Sequence, residues 1–135
     1  MSDFPINEIV FSSARLSGVK GSASIEIAIE PFSLAVDGYS EDVNTSIRLD
    51  AVNIPVSALE LEGKVFTFPV NPLSGYIDGS VYFFAAHHPV DVYKITFGAY
   101  SEGKLPISLE SKWILEFENS GFKNLCTVVE SKIEL

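Results

Sequence analysis

His87 and His88 are the only histidines in the chain, and Asp91 follows closely after them. These three residues are the candidate metal-binding or acid–base set, because imidazole and carboxylate are ordinary ligands of zinc, iron and nickel. A metal site needs its donor atoms to converge on one point, about 2 Å from each. Adjacent residues of a regular strand point to opposite faces, so one ion could take both histidines only from irregular backbone. A site in an irregular loop would instead use one histidine with Asp91 or Asp78. The His-x-His spacing that puts two imidazoles on one face is absent, and no metal or other cofactor is assigned. Pro89 pushes His88 toward extended geometry, so "HHP" reads as the end of one strand and a bend before the next.

Other chemistry leaves little trace. Cys126 falls in the middle of an alternating segment, where a thiol is usually a small buried hydrophobe. There is no G-x-S-x-G nucleophile elbow and no glycine-rich nucleotide motif. Glutamates are so numerous that carboxylate pairs suited to glycoside hydrolysis are easy to find and discriminate nothing. No catalytic residue is expected. An enzyme centred on His87, His88 and Asp91 stands as the second alternative function.

The 135-residue length fits one domain spanning 1–135. A chain of this size buries about two-thirds of its unfolded surface, enough for a core without staples. Hydrophobic residues make up 47% and charged residues 20%, a globular balance. The 18 acidic residues outnumber the 9 basic ones, giving a net charge of −9. Only Arg15 and Arg48 are arginines and no basic cluster exists, so nucleic acid and anionic membranes are poor partners. A basic protein is the electrostatically favoured one. The opening "MSDFPINEIVF" carries an acid where a signal peptide carries a base, and no segment approaches the ~20 apolar residues of a membrane span. The single cysteine excludes an intrachain disulfide, and the expectation is a cytoplasmic protein.

The elements that must position these residues are strands. In "PISLESKWILEFENSG" one face carries Ile107, Leu109, Trp113, Leu115 and Phe117, and the other Glu110, Lys112, Glu116 and Glu118. Asn119 to Gly121 reads as a hairpin turn, after which Leu125, Val129, Ile133 and Leu135 oppose Glu130, Lys132 and Glu134. Upstream, Ile25, Ile27 and Ile29 alternate with Glu26 and Glu30 until Pro31 ends the strand, and "NEIVFSSARLSGVKG" is its partner across Gly18 and Gly21. "TSIRLDAVNIPV" alternates again. "AVDGYSEDVN" reads as a loop. "ALELEGKVFTFPV" reads as two short strands turning at Glu62-Gly63, with one helical turn over Ser57 to Glu62, ended by Gly63, as the competing reading. Asp78-Gly79 signals a turn or bulge. No helical stripe is sustained, so the fold expected is an all-β, single-domain antiparallel β-sandwich, with a closed β-barrel as alternative and little helix.

"VYFFAA", Val81 to Ala86, breaks the alternation because both faces are apolar. A covering loop or short helix of the same chain is the default explanation; a barrel wall or a contact surface that could support a homo-oligomer are the others. The leading functional expectation is a non-enzymatic protein-interaction module that binds a basic protein. Its contact residues are Glu110, Glu116, Glu118, Glu130 and Glu134 on the acidic face of the last hairpin, with Tyr82 and Phe84 as an aromatic patch. In general character, and without a shared motif, the chain is similar to small acidic immunity or antitoxin-type inhibitors. A domain binding a small ligand or carbohydrate through Tyr76, Tyr82, Tyr93 and Trp113 is the first alternative.

Overall fold

The computed structural model describes residues 1–135. The period-two pattern builds ten strands: β1 (Phe11–Val19), β2 (Ser22–Ile29), β3 (Phe32–Val36), β4 (Tyr39–Val43), β5 (Ser46–Val52), β6 (Val65–Thr67), β7 (Ile77–Phe83), β8 (Ala86–Phe97), β9 (Lys104–Trp113) and β10 (Leu125–Glu134). The one α-helix is the single turn α1 (Ala58–Leu61). Ser57 caps it: its Oγ accepts the Glu60 N–H and donates to the Glu60 carboxylate. The helical turn expected over Ser57 to Glu62 forms, and of the two short strands expected only the second forms, as β6.

Eight strands make one sheet in the order β6-β8-β7-β5-β2-β1-β10-β9, and β8 also pairs with β9. That last pairing closes a seven-stranded barrel, with β6 sharing the β7 edge of β8. The all-β expectation holds, and between sandwich and barrel the chain takes the barrel. β8 is the longest strand, and a register shift between Val92 and Lys94 bends it. The bend lets one strand serve β7 and then β6 on one edge and β9 on the other. An odd ring of strands cannot alternate direction all the way round. One neighbouring pair must therefore be parallel, and it is β1–β10, through Ser13↔Lys132 and Ala14↔Ile133. The expectation of a wholly antiparallel sheet is corrected at this seam.

The apolar faces read from the sequence line the interior. Ile25, Ile27, Ile47, Leu49, Leu105, Leu109, Trp113, Val129 and Ile133 are all buried. Trp113 sits at one end of the core, where its indole N–H donates to Ser111 Oγ at 3.2 Å. Phe4, from the segment preceding β1, plugs this end against Trp113, Phe83 and Phe122, with ring centroids 5.4–5.6 Å away.

Several local expectations change. "AVDGYSEDVN" is not a loop: β3 and β4 form a separate hairpin turning at Asp37-Gly38, both with positive φ. It is polar because only Leu34 and Val43 of this hairpin are buried. Gly79 is neither turn nor bulge. It lies within β7, where a Cβ would come 2.5 Å from Leu49 and 2.7 Å from the Val90 carbonyl oxygen, so the strand needs glycine for close packing. The bend expected at "HHP" lies earlier. β7 ends at Phe83, Phe84 and Ala85 make a two-residue turn, and His87, His88 and Pro89 are inside β8. Pro89 is tolerated because it stands at the start of the β8 edge facing β9, whose ladder begins only at Val90↔Trp113. The last hairpin pairs as expected from Lys104↔Glu134 to Trp113↔Leu125, but a loop from Ile114 to Asn124 replaces the tight turn at Asn119 to Gly121. Phe117, expected on the buried face, lies in that loop and is 74% exposed.

Candidate functional site

The three candidate sets from the sequence come apart in the structure, and two members of the contact set, Glu118 and Phe84, meet in a cleft. His87 and His88 occupy opposite sides of β8, as strand alternation requires: His87 is exposed and His88 fully buried. Asp91 is on the outer side, paired across the ladder with Asp78 on β7 and Lys112 on β9. His88 and Asp91 thus face different sides of the wall, and no three His, Cys, Asp or Glu side chains gather to hold an ion. Burial pushes the Asp91 carboxyl above the usual range and the Asp78 charge adds to this, while Lys112 opposes.

The acidic hairpin face is also divided. Glu110, Glu130 and Glu134 remain on the outer side of β9 and β10, but lysines intersperse them. Glu110 pairs with Lys94 at 3.4 Å, Glu134 is opposite Lys104, and Lys132 lies between Glu130 and Glu134. This wall is of mixed charge. Glu116 and Glu118 are not on the strand with them, because β9 ends at Trp113. Glu116 is committed to the loop: its N–H donates to Asn124 Oδ1 at 2.9 Å, and its carboxylate accepts the Asn124 N–H at 3.0 Å. Of the four aromatics considered for a small ligand, Trp113 is fully buried, Tyr76 and Tyr93 are half-buried, and Tyr82 is exposed against His87 at 4.9 Å.

Glu118 and Phe84, both read from sequence as contact residues, do come together. They line a cleft of about 320 Å³ at one end of the barrel, between the β3–β4 hairpin, the β7–β8 turn and the loop at 118–120. Each wall is held by identifiable interactions. Phe84 and Ala85 have φ of 51° and 58°, a left-handed conformation that costs residues with a Cβ roughly 1–2 kcal/mol each. Glu41 on β4 holds this turn: one carboxylate oxygen accepts the Phe84 N–H at 2.8 Å, and the other accepts the Tyr39 hydroxyl at 2.8 Å. That hydrogen bond pushes the Tyr39 phenol above its ordinary pKa, because ionisation would remove the donor. The Tyr39 and Phe84 rings meet edge to face at 5.0 Å. Gly121 in the opposite wall packs on Val36, which a Cβ would approach to 2.9 Å.

Beneath the cleft, His88 joins the loop to the core. Its ring stacks on Phe83 at 3.9 Å with planes 7° apart, and its Nε2 lies 2.9 Å from Ser120 Oγ, a cleft-lining group. Its Nδ1 is buried without a hydrogen-bond partner. Burial pushes the His88 pKa below its ordinary value, while the backbone of Val81 and the Glu118 charge oppose this. Tyr39 at the cleft is open to solvent, 54% exposed, whereas Tyr82, also exposed, does not line it. Glu118 makes no ion pair. Glu41, Tyr39 and Ser120 escaped the sequence reading. The Asp37-Gly38 pair was the one signal that could have placed Glu41 and Tyr39 on a hairpin.

Set against known families, curated proteins and solved structures, the chain matches none of them.

Proposed function

We propose that this domain binds another protein without catalysing a reaction, and that its cleft receives a lysine or arginine side chain of a basic partner. What carries this proposal is the pairing of the unneutralised Glu118 carboxylate with the Tyr39 and Phe84 rings around one concavity. A cation set against aromatic rings and a carboxylate gains cation–π attraction together with a charge-assisted contact. The net charge of −9 draws such a partner in and disfavours acidic competitors. The strained turn at Phe84-Ala85 supports the same conclusion, since left-handed non-glycine residues persist where surrounding structure enforces them and cluster at binding sites. The exposed, unpaired Cys126 fits a reducing compartment such as the cytosol.

The test is an NMR titration with short peptides that carry lysine or arginine, matched to acidic and neutral peptides. Basic peptides are expected to shift the amide signals of Tyr39, Phe84 and Glu118, with affinity falling as salt rises. Shifts by acidic peptides, or by basic peptides confined to the outer wall, would overturn the assignment.

A further inference from the structure

A second concavity lies on the outer wall, away from the cleft, and encloses about 680 Å³, within the range of small-molecule sites. It crosses β8, β9, β10 and β1. The register sets its floor in rows: Thr96, Ser108 and Glu130 stand side by side, and Gly98, Pro106, Lys132 and Ser13 form the next row. Small residues make the depth. Gly98 lacks a side chain because its backbone abuts Pro106, where a Cβ would come to 3.0 Å. The β1–β10 ladder covers only two residue pairs, and β1 carries a register shift between Phe11 and Ala14, where the Ser131 hydroxyl spans the seam by donating to the Ser12 carbonyl.

The chemistry of this groove differs from that of the cleft. Two lysines, Lys104 and Lys132, are balanced by two glutamates, Glu130 and Glu134, and none of the four is in an ion pair. The hydroxyls of Ser13, Ser108 and Thr96 add groups that both donate and accept. A cation or an anion gains no net attraction from such a lining. A molecule bearing many neutral hydroxyls does, because each hydroxyl finds a carboxylate to donate to or an ammonium to accept from.

We propose that this groove binds a neutral, densely hydroxylated ligand, a short oligosaccharide. The site is independent of the protein-binding cleft. The probes are cellotriose, maltotriose and N,N′,N″-triacetylchitotriose, with zwitterionic dipeptides as the competing class, followed by NMR on the full chain. At least one trisaccharide is expected to shift the amides of Thr96, Ser108 and Ser13 at millimolar concentration, with affinity unchanged by salt. Ser108→Trp fills the floor and is expected to weaken binding by about tenfold or more. Glu130→Gln, which barely alters the surface, is expected to weaken it by a smaller factor and guards against misfolding of the first variant. Three results would each overturn the proposal: no trisaccharide shifts the groove, dipeptides bind it instead, or Ser108→Trp binds as the parent does.

Discussion

Along β9 and β10 the ladder runs unbroken from Lys104↔Glu134 to Trp113↔Leu125, with Leu105, Leu109, Trp113, Val129 and Ile133 inward and charged residues of both signs outward. At the cleft end, local preference is repeatedly overruled. Two consecutive residues with side chains sit at positive φ, a histidine is buried with one ring nitrogen unpaired, and tyrosines and a phenylalanine face solvent. The backbone of the wall follows ordinary strand alternation. The cleft end holds features that folding disfavours, and such conflicts concentrate where a surface serves another purpose.

The largest expected effect falls on the core that both regions share. Trp113→Ala should destabilise the protein by about 3–5 kcal/mol in denaturant titrations, as removal of a large buried aromatic ring does. A loss below 1 kcal/mol would mean that Phe4 does not pack on the indole as described.

His88 comes next, because its folded-state pKa lies below the unfolded value of about 6.5. The unfolded chain then binds the extra proton more readily. The stabilising effect of neutral His88 is complete above pH 6.5 and is lost as pH falls through the folded-state value. Thermal unfolding should therefore show acid destabilisation that His88→Gln reduces. Amide exchange at residues 116–121 should quicken first, since Ser120 is the loop's tie to the ring. An unchanged pH profile in His88→Gln would remove the histidine from the account.

A smaller effect, of opposite sign, is expected at the strained turn. Glycine adopts positive φ without the Cβ penalty, so Ala85→Gly should stabilise by about 0.5–1 kcal/mol. Loss of stability would show that the Ala85 methyl makes contacts outweighing the strain. The smallest effect belongs to the wall. Asp91→Asn removes a like-charge cross-strand pair with Asp78 and should stabilise by about 0.2–1 kcal/mol at neutral pH. The sign follows from linkage. A carboxyl with a raised folded-state pKa holds its proton more tightly when folded, so wild-type stability falls as pH rises from the unfolded to the folded value. The variant should lack that decline.

What was legible in the sequence follows the same division. Alternation in "PISLESKW" and "SIEIAIE" specified the inner faces, because a half-buried strand dictates residue type at every second position. Barrel closure was not legible, since it depends on a parallel seam between the first and last barrel strands, β1 and β10, which are distant in sequence. The alternation through Leu115 and Phe117 continues past the end of β9, which carried Glu116 and Glu118 onto the wrong surface. The turn at Phe84-Ala85 contains none of the glycine, asparagine or aspartate that announces a two-residue hairpin, because the ladder register and Glu41 impose it. The two-faced apolar run at Val81 to Ala86 has a structural reason in the fold. Its second face is partly covered by the β3–β4 hairpin, through the Tyr39–Phe84 contact.

One measurement tests the central claim directly: calorimetric titration of the tightest-binding basic peptide into Glu118→Lys and into Glu130→Lys. Both variants change the net charge equally, so long-range attraction falls equally in each. Recognition at the cleft predicts a loss of about tenfold or more for Glu118→Lys and less than about threefold for Glu130→Lys. Equal losses in the two variants would contradict it, and would leave only the overall charge of the protein to explain the binding.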